Sequence, residues 1–336
     1  MKFWKKILLA ALLASPLVAG CKKDDDTTKE YMDGTLSISI PIYMLPGDSK
    51  TFNIDTLMTM SKSNGAIVGY YYTNPIEGIC DTLVYNDGSR FQSTFTITAP
   101  DSLGTFSFTF VAMGDDNYYS TTATGQYTVV KPGINGDKSL TGYKMRLPME
   151  SMTDPRDGRE YLVSDVDGTY WMRQNLAWEG AGIPFRQNKA INDVFGRFYT
   201  WEEAQTACPE GWRLPVDADF VALGKKYASS AKAASDIAGL SGSLMEDIYF
   251  NGDKMWEYWP NVNMTNAAGL SLLPVGYSTI SEGEYEFDEF SNYSAIWTGN
   301  TKSGNGVFRY VYVDKSDLYI GAASKTDFAV NVRCVK

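Results

Sequence analysis

The chain has 336 residues, with 40 acidic side chains against 30 basic ones and a formal net charge of −10. That balance argues against nucleic acid or an anionic membrane surface as the main partner, since both demand a basic face. Histidine is absent altogether, which excludes nucleophilic chemistry that relies on an imidazole base and every histidine-ligated metal site.

Lys2, Lys5 and Lys6 precede an uninterrupted apolar run from Ile7 to Ala14, and Leu17-Val18-Ala19-Gly20 leads into Cys21. Basic region, apolar region and small residues, in that order, build a secretory leader. The run falls short of the ~20 residues that cross a bilayer, so it predicts a leader and not an anchor. A cysteine directly after Ala-Gly resembles the lipobox of bacterial lipoproteins. The resemblance implies cleavage of residues 1–20 and lipid on Cys21, with several chains, because a single acyl chain binds membranes only marginally. Residues 21–32, charged from Lys22 to Glu30, cannot bury apolar surface and predict a solvated tether. They also resemble the acidic export signal that sends some lipoproteins to the cell surface. The expected location is the outer membrane, lipid-anchored and facing outward.

Residues 33–131 read as short strands between turns. Leu36, Ile38, Ile40 and Ile42 alternate with polar residues or proline, and Phe106, Phe108 and Phe110 alternate with Thr105, Ser107 and Thr109, a period of two. Further strands are predicted at 50–55, 66–73, 82–85, 91–98, 104–113 and 125–131. About seven short strands without helical period predict an all-β, Ig-like sandwich. The stretch from Pro100 through Val130 loosely resembles the last strands of Ig-like or PKD-like modules, which act as spacers. Pro132, Gly133 and Gly136 make residues 132–138 the expected linker.

Residues 139–336 change character. Asp165-Val166-Asp167-Gly168 predicts a hairpin turn between strands at 160–164 and 169–175. Thr200 and Glu203 are spaced as a capping box and open a short helix ending near Cys208. A second helix is predicted from Pro215, with Phe220, Leu223 and Tyr227 on one face, and residues 229–238 are expected to add a helical turn or two. Strands return after Leu270, at 295–298, 307–313 and 330–335. Three cysteines remain besides Cys21, namely Cys80, Cys208 and Cys334. An oxidising envelope predicts one disulfide and leaves three pairings open.

Several motifs in register now carry a resemblance. They are Asp154-Pro155-Arg156-Asp157-Gly158, Tyr170-Trp171-Met172-Arg173-Gln174-Asn175, Gly196-Arg197-Phe198-Tyr199-Thr200-Trp201, Cys208-Pro209-Glu210-Gly211-Trp212-Arg213-Leu214-Pro215, Leu272-Leu273-Pro274-Val275-Gly276, Ile296-Trp297-Thr298 and Val332-Arg333-Cys334-Val335. Together they resemble the Fibrobacter succinogenes major paralogous domain over residues 139–336. That family is similar in turn to the C-type lectin-like fold and, more distantly, to sulfatase-modifying domains. The resemblance implies an α+β head, with a disulfide from the first helix to the last strand. The matching positions are Cys208 and Cys334, leaving Cys80 as a free, buried thiol. Trp171, Trp201, Trp212 and Trp297 are read as core, and Arg213 and Arg333 as guanidinium groups paired inside the fold.

Three functional constellations fail on this sequence. Lectin-type calcium loops need carboxylates where Tyr258-Trp259-Pro260-Asn261 and Trp297-Thr298-Gly299-Asn300 stand. Asp165-Val166-Asp167-Gly168 would need a bidentate glutamate at Leu176 to form a calcium loop. Sulfatase-modifying chemistry needs cysteines beyond the implied pair. No cofactor or metal is expected, and the chain reads as a non-enzymatic binding protein for an extracellular glycan or protein. A structural or assembly subunit of an envelope complex is the alternative. The segment 255–290 holds the candidate ligand-contacting residues Trp256, Tyr258, Trp259 and Tyr285, since aromatic rings stack on sugars; packing within a loop is the competing role for them.

Overall fold

The computed structural model describes residues 30–38, 42–54, 58–85, 94–115, 118–130, 140–141, 150–228, 231–250 and 253–336. The leader, Cys21, the tether up to residue 29 and the linker at 132–138 lie outside the described residues. The chain is mostly β and divides into two compact units. One takes residues up to Pro41, Ser49–Pro100 and Phe106–Tyr127; the other takes Ile42–Asp48, Asp101–Thr105 and Thr128–Lys336. Three short stretches from the first 130 residues therefore belong with the C-terminal unit.

In the first unit, the Ile67–Asn74 strand pairs antiparallel with Ile79–Tyr85 on one side and Gly104–Gly114 on the other. Ser49–Asn53 pairs with Thr94–Thr98, and Leu36–Ile38 with Met58–Met60. The alternating phenylalanines do what the period-two pattern requires, because Phe108 and Phe110 are fully buried. They meet Tyr72 and Phe95, with Phe110 stacked on Tyr72 at 4.8 Å and edge-on to Phe95 at 4.9 Å. Such ring pairs contribute about 0.5–1.5 kcal/mol each beyond the area they bury. Cys80 is exposed and disulfide-bonded. The expectation of a free, buried thiol is thus corrected: in the structure this sulfur sits at the surface in a bond.

The second unit is built on a sheet ordered Ile183–Pro184, Arg197–Thr200, Phe328–Asn331, Tyr293–Lys302, Asn305–Tyr312 and Tyr319–Ala323. A hairpin of Tyr277–Ser281 and Glu284–Asp288 joins it along Phe328–Asn331. Alternation along the central strands sorts the core. Tyr293, Ala295 and Trp297 face Tyr199, Phe308 and Cys334, while Ile296 and Val311 face the helix side with Phe220 and Leu223. That helix, Asp217–Tyr227, buries Phe220 and Leu223 completely, and Phe220 meets Trp171 edge-on at 5.1 Å. Burying each side chain stabilises by about 1.5–3 kcal/mol.

Local chemistry sets the helix ends. Thr200 Oγ1 accepts from the Glu203 amide, and Glu203 Oε2 accepts from the Thr200 amide at 2.8 Å, the reciprocal box read from the sequence. The second helix starts two residues beyond Pro215, where the Val216 amide donates to Asp219 Oδ2 at 2.7 Å. No helical turn forms among the described residues of 229–238. There the Ala234 amide donates to Asp217 Oδ2 at 2.6 Å and Ile237 bridges to Leu318, so tertiary pairing overrides local propensity. The hairpin Glu160–Val166 and Thr169–Met172 turns on Asp167 and Gly168, both at positive φ. Asp165 Oδ1 accepts from the Gly168 amide and Asp167 pairs with Lys226, which makes this a turn and occupies both carboxylates.

Candidate functional site

Tyr258 and Trp259 are exposed large side chains of the C-terminal unit, at 77% and 40%, as are Leu103 and Tyr249. Both follow Trp256, which is fully buried and donates its indole N–H to the Leu272 carbonyl at 3.0 Å. Trp256 is thereby a core residue and is removed from the candidate ligand face. Tyr285 sits half-buried on the Glu284–Asp288 strand, where burial and then the nearby Glu203 carboxylate raise its phenol above the ordinary range. It belongs to the hairpin beside the Trp201–Ala204 helix, and only Tyr258 and Trp259 of the four candidates share one exposed loop.

The loop is anchored by alternation. Val262 points inward and its amide donates to the Trp259 carbonyl at 3.1 Å, while Asn261 and Asn263 on either side are exposed. Lys254 Nζ stands 5.8 Å from the Tyr258 ring centroid, a cation–π contact that leaves most of the ring in solvent.

Segments 239–243 and 261–265 and residue Ser316 line an open cavity of about 310 Å³. Backbone bonds hold its walls. The Ser241 amide donates to the Ser316 carbonyl at 2.9 Å, and its hydroxyl to the Lys315 carbonyl at 2.7 Å. The Gly242 carbonyl accepts from the amides of Thr265 and Asn266, at 2.8 and 3.1 Å. Gly242 has to be glycine here, since a Cβ would lie 2.1 Å from the Asn263 carbonyl oxygen. The lining carries hydroxyls and amides and no ionisable side chain. Among the described residues, no group of three Asp, Glu or Cys side chains could hold a metal ion.

The sequence pointed to the aromatic loop, whereas Ser241, Ser243, Asn263 and Ser316 carry no motif. The alternation of two asparagines about Val262 was the available signal. Of the two arginines singled out, Arg213 is half-exposed and grips Asp219 with both terminal nitrogens, at 2.7 and 2.9 Å. Arg333 is fully buried, donating to Asn175 Oδ1 at 2.8 Å and to the carbonyls of Leu270 and Ser271. Arg173, also fully buried, lies near Glu246 at 3.8 Å. Arg173 and Arg333 stitch the core and do not open to solvent, whereas Arg213, expected to pair inside the fold, makes its ion pair at the surface.

The sequence profile of the Fibrobacter succinogenes major domain matches residues 165–336. No curated protein matches the chain. A solved structure of fibronectin(III)-like modules from Clostridium thermocellum CbhA overlaps 30% of this chain and all of that one, at 10% identity and a TM-score of 0.20. That likeness is too slight to carry an argument. Among the described residues no helix is long and apolar enough to cross a membrane.

Proposed function

The chain belongs to the Fibrobacter succinogenes major domain family, and we propose that it works as a non-enzymatic cell-surface lipoprotein. Residues 1–20 direct export, lipid on Cys21 holds the protein to the outer membrane, and the charged tether frees it from the surface. An Ig-like unit acts as spacer, and a C-type lectin-like unit acts as the head that meets an extracellular glycan or protein. The order of basic, apolar and small residues before Cys21 supports the first part. A disulfide from the segment after the first helix to the end of the chain, Cys208 to Cys334, supports the lectin-like reading.

One observation carries the binding role. The head buries Trp171, Trp256 and Trp297 completely, yet leaves the consecutive residues Tyr258 and Trp259 exposed. Exposed aromatic pairs of this kind cost solvation unless a partner covers them, and they recur at interfaces that stack on sugars or proteins.

The test presents the protein to arrays of glycans and of extracellular proteins, with wild type, Tyr258→Ala and Trp259→Ala in parallel. Saturable binding that falls at least tenfold in both variants is expected. Binding that both variants retain in full would contradict the role given to the loop. Capture of envelope components through another face, unaffected by these variants, would favour the alternative of an assembly subunit.

A further inference from the structure

We propose that the cavity lined by segments 239–243 and 261–265 is a subsite for one ring of a neutral sugar, bound without a metal ion. The proposal rests on the reading of the head as a ligand-binding unit and specifies the ligand class. At about 310 Å³ the cavity lies at the lower end of the ~300–1,000 Å³ range of small-molecule sites, which suits a single ring.

Its chemistry selects among ligands. The side chains of Ser243, Asn261 and Asn263 make no hydrogen bond among the described residues, so their donors and acceptors are available to a guest. Amides offer both a carbonyl acceptor and two N–H donors, and a hydroxyl offers both roles on one atom. A polyol, whose every hydroxyl is donor and acceptor together, matches that inventory. A phosphate, carboxylate or ammonium ligand would shed its hydration here with no ionisable side chain in the lining to compensate it. Trp259, two residues before Asn261 in the chain and 40% exposed, offers a flat apolar face on the segment that leads into the cavity wall. Sugar rings present the complementary pair of surfaces, polar at the edge and apolar on the face. Since no group of Asp, Glu or Cys among the described residues could hold a cation, recognition runs through direct hydrogen bonds.

The experiment uses the mature full-length protein in a detergent without a sugar headgroup. The probes are methyl glycosides of glucose, galactose, mannose and N-acetylglucosamine, followed by saturation-transfer NMR and tryptophan fluorescence, with and without EDTA. Asn261→Ala and Asn263→Ala remove the amides at exposed positions. Ser316→Trp fills the cavity from an exposed rim, and thermal unfolding checks that each variant is folded. At least one glycoside is expected to bind, unaffected by EDTA, and to weaken tenfold or more in all three variants. Binding lost in Trp259→Ala but untouched by these variants would overturn the cavity assignment while leaving the head as a binder. Binding abolished by EDTA would overturn the metal-free mode. No binding of any glycoside would overturn the proposal, and the arrays of extracellular proteins would still decide separately whether the head has a ligand.

Discussion

Cys334, two residues from the end of the chain, is disulfide-bonded to Cys208 across a sequence separation of 126 residues, with the two Cα atoms 5.8 Å apart. The bond ties the segment after the Trp201–Ala204 helix to the chain end that also pairs with Trp171 and Arg213. In the chain-entropy treatment, a closed loop of this size stabilises by about 4–5 kcal/mol. Cys334→Ala is therefore expected to lower the unfolding free energy by about that amount, read from denaturant titration. A loss below about 1 kcal/mol would show that the C-terminal unit holds its end without the bond.

Arg333 and Asn175 form a buried polar link of the C-terminal unit, at 2.8 Å, while Asn175 Nδ2 donates to the Phe195 carbonyl at 2.9 Å. Removing the amide leaves a buried guanidinium short of an acceptor and a buried carbonyl short of a donor. Asn175→Ala is expected to cost about 2–4 kcal/mol, since an unsatisfied buried group forfeits ~1–3 kcal/mol and more when charged. Thermal unfolding with a cooperative transition at unchanged temperature would contradict this.

The Tyr127 phenol is pushed up to about 12, first by burial and then by the Glu77 carboxylate. In the unfolded chain the same group ionises near 10. Its folded value is raised, so its contribution to stability is whole below pH 10 and is lost as pH climbs from 10 to 12. The first unit should lose near-ultraviolet circular dichroism across that window, together with a cooperative rise in tyrosinate absorbance. Free titration of all tyrosines near 10 with an intact spectrum would contradict the burial argument.

Gly242→Ala places a methyl group where the Asn263 carbonyl oxygen stands. The 261–265 segment then has to move, at a cost of about 1–3 kcal/mol for an overpacked site. Hydrogen exchange at Thr265 and Asn266, whose amides bond the Gly242 carbonyl, should accelerate. Unchanged protection there would show that the wall yields without strain.

How far the sequence foretold these features depended on whether the signal was local. The phenylalanine alternation around Phe108, the Thr200–Glu203 box and the Asp167–Gly168 turn are each written within a few residues, and each appears in the structure. The return of strands after Leu270 was legible, but the bounds of the Tyr277–Ser281 and Glu284–Asp288 hairpin were not. Its turn uses Glu282 and Gly283 at positive φ, and its inward Ile280 and Phe287 are spaced among acidic residues that mask the alternation. Trp256 and Trp259 look alike in sequence, and only the distant Leu272 carbonyl decides that one is core. The cavity is further removed still, since its walls come from three segments spanning 239 to 316. Spacing along a chain cannot announce such an assembly.

The most direct test of the surface-lipoprotein account is mass spectrometry of the N-terminal peptide from protein isolated from its own membranes. The account predicts a chain that begins at Cys21, its sulfur in a thioether to diacylglycerol and its amine acylated. A chain that retains residues 1–20, or one whose Cys21 sulfur carries no lipid, would contradict it.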